Sequence, residues 1–250
     1  MEIDATKPVK DFILQMPAAA KVFEQLGIDY CCGGAKCLDQ ACRAAGLDVN
    51  EVVRSLETTT ATTSGEYQAV DWSAQPLATL MDHIVKQHHA FCRQEVARLE
   101  LLLDKVIAAH DASHPELRRI KSVFSGLSKD LLMHLVKEEQ TLFPYIARME
   151  ESKAQGIPFP RPAFGIVQNP VRMMVLEHDN SAVALHEVRK LTGNYQLPSH
   201  ACNTYRTLYE RLRFFESNMH QHVHLENNVL FPRAVTMEDA TVSGGQAAGR

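Results

Sequence analysis

The feature that most constrains this chain is a set of four amphipathic helical patterns whose apolar seams are each broken by histidine. Long helices are expected at about Ser73–Ala109, from Ser113 or Pro115 to Met149, at about Pro170–Leu191 and at Ser199–Val235. In each, apolar residues recur at alternating steps of three and four, the stripe that a bundle helix turns toward a core. His89 stands on the first stripe, His134 and Glu138 on the second, His178 on the third, and His222 and Glu226 on the fourth. A buried imidazole or carboxylate costs several kcal/mol unless it is hydrogen-bonded or coordinated. Six such residues on four inward faces call for a shared partner, and a metal cluster supplies one.

The spacing supports that reading. His134 to Glu138 and His222 to Glu226 are both i,i+4 pairs, and four residues advance a helix by about 400°, so each pair stacks on one face about 6 Å apart. An internal repeat relates the two halves. HLVKEEQTLFP at 134–144 matches HVHLENNVLFP at 222–232 at the histidine, the glutamate and the closing Leu-Phe-Pro. The gap from His89 to His134 is 45 residues and that from His178 to His222 is 44. Two helix pairs then each donate His, His and Glu, which implies a pseudo-two-fold site for two metal ions. Neighbouring candidates lie off the seam: His88 is about 100° from it, and His220 and His224 about 200°. Glu216, His220 and His224 do form a competing i,i+4 stripe on the last helix, but only His134 and His222 lie ten residues before the repeated proline. Glu139, about 100° from Glu138, is read as a flanking residue.

Imidazole plus carboxylate suits iron or manganese better than a soft metal, and zinc stays open. If both glutamates bridge, each metal has two histidines and two carboxylate oxygens. That leaves room for an oxo or hydroxo bridge and an open position for a small ligand such as oxygen or nitric oxide.

Composition closes other routes. The 250 residues carry 26 Lys plus Arg against 30 Asp plus Glu, a net charge of −4 with no basic run, so general nucleic-acid binding is not expected. Apolar content of 45% and charged content of 22% are globular values. No apolar run approaches a membrane span, and MEIDATKPVKDF lacks the pattern of a signal peptide, so a cytoplasmic location is expected. The six cysteines then read as thiols or ligands rather than a disulfide framework. No Gly-x-Gly-x-x-Gly fingerprint is present, so redox turnover would need an external electron donor.

The chain is expected to be all-α: a small three-helix N-terminal domain at residues 1–57, a Thr-rich linker at 58–72 (TTTATTSG at its start), an up-down four-helix bundle at 73–238 and a disordered tail at 239–250. In the head, AAAKVFEQL lies between Pro17 and Gly27, and two further short helices are expected at Asp39–Ala45 and Asn50–Glu57. Cys31 and Cys32 sit side by side in the turn between the first two, beside Gly33 and Gly34. They are candidates for exchanging iron or nitric oxide, through a vicinal disulfide, transient metal binding or nitrosation; the alternative is a pair of half-buried small hydrophobes. Cys42 and Cys92 are assigned to packing, Cys37 is left open and Cys202 carries no signal.

HHAFCRQE around His89, HLVKEEQTLFP, VLEHDN and HVHLENNVLFPRA resemble a hemerythrin-type di-iron domain, and LGIDYCCGGAKCLDQAC at 26–42 resembles the small ScdA-type N-terminal domain. Together they resemble the repair-of-iron-centres family of YtfE/ScdA-like proteins over nearly the whole chain. The resemblance puts that family's six iron ligands, which hold two iron ions in a non-haem centre, on His89, His134, Glu138, His178, His222 and Glu226. It also implies a cytoplasmic stress-response protein whose partners are damaged iron–sulfur proteins and small ligands, with neither nucleic acid nor membrane, and it admits a homodimer. Repair would proceed by donation of labile iron. The alternatives are catalytic reduction of nitric oxide or peroxide at the same centre, and an oxygen- or redox-sensing module.

Overall fold

The computed structural model describes residues 3–63, 70–158 and 162–247. Among them there is no named strand, only an isolated bridge between Pro8 and Cys37, and the fold is all-α. Contacts sort the chain into two compact units: residues up to Pro76 with His220–Arg233, and Leu77–Met219 with the helix from Ala234 on.

The first unit holds α1 (Val9–Gln15), α2 (Ala19–Leu26), α3 (Leu38–Ala45) and α4 (Val49–Thr63). The last three answer to the three expected helices, and α1 precedes them. Gly27 and Gly46 end α2 and α3 at φ +70, the left-handed stop that a side chain would strain. Hydrogen bonds from Val9, Lys10 and Leu38 across the Pro8–Cys37 bridge tie the entry to α1 against the turn before α3. Phe12, Phe23, Tyr30, Leu38, Cys42 and Leu56 fill the small core.

The Thr-rich stretch differs from the linker expected there. Residues 58–63 extend α4, while 64–69 lie outside the described residues. Ser55, Thr58 and Thr59 each donate a hydroxyl hydrogen bond to the carbonyl four residues back, so these side chains satisfy themselves within the helix rather than interrupting it.

The second unit is built on α5 (Leu77–His83), α6 (Ala90–His110), α7 (Glu116–Lys137), α8 (Phe143–Gln155) and α9 (Gln168–Leu191), with the first part of α10 (Asn203–Leu225) and most of α11 (Phe231–Ala247). The first long helix starts at Leu77 rather than Ser73. The Glu150 carboxylate accepts the Leu77 and Ala78 N–H groups at 2.7 and 2.8 Å, placing an anion on the positive end of α5. α7 packs along α6 and α9. Leu99, Leu103, Phe124, Leu208 and Phe215 form the core, with the Phe124 and Phe215 rings edge to face at 5.5 Å. Glu95 is buried there and is held by the Arg211 guanidinium.

The C-terminal tail also departs from expectation. Helix α11 continues to Ala247, and residues 248–250 lie outside the described residues. Buried Glu238 anchors the segment, accepting the Tyr145 hydroxyl at 2.6 Å and the Val167 N–H at 2.8 Å. No described helix is long and apolar enough to cross a membrane.

Candidate metal centre

Three π-helical turns interrupt the long helices: Ile84–His89, Glu138–Leu142 and Glu226–Leu230. His89 ends the first, and Glu138 and Glu226 open the other two. The repeated Leu-Phe-Pro explains the last two. Pro144 and Pro232 have no N–H to offer the carbonyl four residues back, and each ring crowds that carbonyl. Widening the turn relieves the clash, and Phe143 and Phe231 bond instead to the Glu138 and Glu226 carbonyls five residues back.

The six seam residues His89, His134, Glu138, His178, His222 and Glu226 are all buried. They form two groups whose ligand atoms lie within 4.8 Å of one another: His89, Glu138, His222 and Glu226 in one, His134, Glu138, His178 and Glu226 in the other. Both glutamates are common to both groups. Glu138 carboxylate oxygens lie 3.5 Å from His89 Nε2 and 3.3 Å from His134 Nε2, and His178 Nε2 lies 3.0 Å from His134 Nε2. On the last helix His222 Nε2 lies 3.0 Å from Glu226 Oε1.

The far side of two imidazoles shows why these atoms converge. Glu139 Oε1 sits 2.7 Å from His89 Nδ1, and Glu177 Oε2 sits 2.8 Å from His134 Nδ1. A carboxylate only accepts, so each Nδ1 carries a proton and each ring turns its Nε2 inward. Each Nε2 faces Glu138, both of whose oxygens are buried and accept no hydrogen bond. A buried carboxylate that accepts no hydrogen bond is the kind of group a cation satisfies, and nitrogen plus carboxylate donors fit iron. Burial works against ionisation of Glu139 and Glu177. Hydrogen bonds from His89 and Arg93 to the first, and from Lys137 and His134 to the second, outweigh it and hold both carboxyls below their ordinary value. Beside His134, a cavity of about 320 Å³ is lined by Asp130, Lys137, Glu177, Asn180 and Ser181.

Sequence reasoning passed over Glu139 and Glu177 as orienting groups. Their available signal was position: each adjoins a seam residue, Glu139 following Glu138 and Glu177 preceding His178. The competing stripe is spent on packing. Glu216 accepts from Tyr195 and Arg189, while His220 and His224 pack edge-on against Tyr30. Buried His224 is held down to about 4 by that burial. His88 is also buried, its Nδ1 3.2 Å from the Asn218 side-chain oxygen.

In the first unit, Cys31 is buried and Cys32 half-buried, both as free thiols with sulfurs 3.9 Å apart. Asp29 shapes their turn by accepting the Cys31, Cys32 and Gly33 N–H groups. The neighbouring Cys32 thiol, burial and the Asp29 charge push the Cys31 thiol well up. The glycines serve close approach: a Cβ at Gly34 would lie 2.4 Å from the Tyr30 carbonyl, and one at Gly33 would lie 2.8 Å from Asp29 Oδ2. Asn228, two residues past Glu226, donates to the Cys31 carbonyl at 3.2 Å. Cys42 and Cys92 are buried and Cys37 is half-buried.

The model of the hemerythrin HHE cation binding domain matches residues 80–234, and that of ScdA_N, a domain of unknown function, matches residues 5–60. The iron-sulfur cluster repair protein YtfE of Yersinia pseudotuberculosis serotype IB (strain PB1/+) is 34% identical over 225 residues, 90% of this chain and 95% of that protein. The protein of the same name from Yersinia pestis (strain Pestoides F) has the same identity and coverage.

Proposed function

We propose, from the premise that this chain belongs to the family of YtfE/ScdA-like iron–sulfur cluster repair proteins with a hemerythrin-type cation-binding domain, that it restores damaged clusters by giving up iron. His89, Glu138, His222 and Glu226 would hold one iron, and His134, Glu138, His178 and Glu226 a second. When bound, such a pair supplies exchangeable, redox-active iron with room for a small ligand. The observation that carries the reading is the pair of donor groups sharing both glutamates, with Glu138 oxygens that accept no hydrogen bond.

The surrounding residues divide the work. Glu139 and Glu177 keep the Nδ1 protons in place and the Nε2 atoms inward. The cavity beside His134, bordered by Asp130 and by Glu177 with its partner Lys137, would give a small ligand or ion a polar approach to His134. Cys31 and Cys32 would pass iron or nitric oxide between the centre and an acceptor; their shared turn is hydrogen-bonded to Asn228 on the element that carries Glu226. The targets would be damaged iron–sulfur proteins in the cytoplasm, under nitrosative or oxidative stress.

The test is anaerobic metal analysis with Mössbauer spectra, before and after mixing with an apo iron–sulfur protein. Two irons per chain and a stoichiometric loss matched by cluster recovery are expected. Steady-state consumption of nitric oxide or peroxide with an added reductant, without iron loss, would replace donation by catalysis. Reversible ligand binding alone would favour a sensor. Full repair by a C31A/C32A variant would remove the two thiols from the account.

A further inference from the structure

A second group of nitrogen and sulfur donors lies where α6 ends, about 30 Å along that helix from His89. His110 closes α6, His114 lies in the turn that follows, and Glu116 opens α7. His200 and Cys202 are exposed on the irregular segment ahead of α10. The contacts fall in two pairs: His114 Nε2 is 3.0 Å from His200 Nε2, and His110 Nε2 is 3.2 Å from Cys202 Sγ. The Tyr205 ring supports both, 5.2 Å from the His110 ring and 5.5 Å from the His114 ring.

Two features set these contacts apart from surface hydrogen bonds. The Glu116 carboxylate lies 2.7 Å from His114 Nδ1, so a proton sits there and the Nε2 is turned toward His200. His134 combines the same features, with Glu177 on Nδ1 and a neighbouring Nε2 at 3.0 Å. The spacing also suits an ion. Zinc bonds of about 2.0–2.1 Å to nitrogen and about 2.3 Å to sulfur put tetrahedral ligand atoms about 3.3 Å (N to N) and about 3.6 Å (N to S) apart. The observed separations fall within a few tenths of an ångström of these edges. His110 also pulls the Cys202 thiol down to about 7, so the ligating thiolate is well populated at neutral pH.

We propose that His110, His114, His200 and Cys202 form a second metal site for one zinc-class divalent cation, with Glu116 orienting His114. The His110 and His114 rings are 6.4 Å apart, and both are fixed at the α6–α7 turn. As they stand the donors meet in two pairs, so one ion would gather them only with the exposed His200 and Cys202 side chains turned toward it. The ion would pin the segment ahead of α10 to the α6–α7 turn. Its mixed nitrogen and thiolate donors separate it chemically from the nitrogen and carboxylate donors around Glu138.

The test compares tag-free full-length protein with the H114Q/H200Q/C202S variant, each loaded with zinc or cobalt(II) in chelator-buffered solution. The wild-type protein is expected to hold one zinc more than the variant, a difference independent of what the first centre contains. Cobalt-loaded wild-type protein should show a thiolate-to-cobalt charge-transfer band that C202S lacks. An E116A change should weaken zinc binding about 10–100-fold, as loss of a carboxylate behind a ligating histidine does. Equal zinc in wild type and variant, or extra cobalt without a thiolate band, would overturn the site. If the triple variant loses helical circular dichroism, the single C202S protein decides: a band that persists refutes the proposal.

Discussion

Replacing Glu138 with methionine should make the metal-free protein more stable and the iron-loaded protein less so. Glu138 is buried, neither of its oxygens accepts a hydrogen bond, and the imidazole nitrogens at 3.3 and 3.5 Å belong to rings whose protons are committed to Glu177 and Glu139. Exchanging a buried ionic group for an apolar one of similar volume ranges from neutral to stabilising by about 1–4 kcal/mol. Neither Glu138 oxygen accepts a hydrogen bond, which puts the expected gain near the middle of that range, about 2 kcal/mol. For a chain of this size each kcal/mol moves the melting temperature about 2–4 °C, so the chelated variant should melt about 4–8 °C above chelated wild type. Ferrous iron should reverse the order. A ligand that binds only the folded state adds about 2.7 kcal/mol at a hundredfold excess over Kd, and the variant lacks a carboxylate common to both donor groups. Circular-dichroism melts with chelator and with anaerobic ferrous iron make the comparison. A chelated variant melting at or below wild type would mean that the protein satisfies this carboxylate without a cation, and the reasoning from an unpartnered carboxylate would fall.

Four further outcomes are expected. E139A and E177A should each lower metal affinity about 10–100-fold while leaving helix content unchanged, measured by competition against a chromophoric chelator. G34A drives a Cβ to 2.4 Å from the Tyr30 carbonyl and should cost about 1–3 kcal/mol, seen as faster hydrogen exchange at Lys10 and Lys36, whose amides bond across this turn. G126A in α7 meets nothing within 4 Å and should instead stabilise by about 0.5–1 kcal/mol. Alkylation of Cys202 in chelated protein, followed by mass spectrometry, should rise as thiolate forms with a midpoint at about pH 7; H110Q should move that midpoint upward, toward the ordinary thiol value.

The sequence was most legible where a periodic pattern met a chemical cost. Apolar spacing located the long helices, because a 3.6-residue repeat leaves one face to bury. Histidine and glutamate on that face stood out because burial penalises them whatever the neighbours are. Breaks in regular structure were less legible. The Thr-rich stretch reads as a joint because its side chains compete with the backbone, yet the Thr58 and Thr59 hydroxyls bond back to their own helix, α4. The start of the last helix, at the end of the expected bundle, is held with no sign of it in the sequence: Tyr145 and Val167, which donate to Glu238, lie far away in the chain.

By itself the sequence determined the all-α class, the long helices, the six inward polar residues and the paired thiols, all through local spacing. Only the tertiary structure decided that Glu139 and Glu177 stand behind His89 and His134, that Gly34 is required by the Tyr30 carbonyl, and that His110 meets Cys202 while His114 meets His200. Those facts depend on which atoms from distant segments come within hydrogen-bond or van der Waals reach. One-dimensional spacing reports the face a residue occupies and is silent about what stands opposite it.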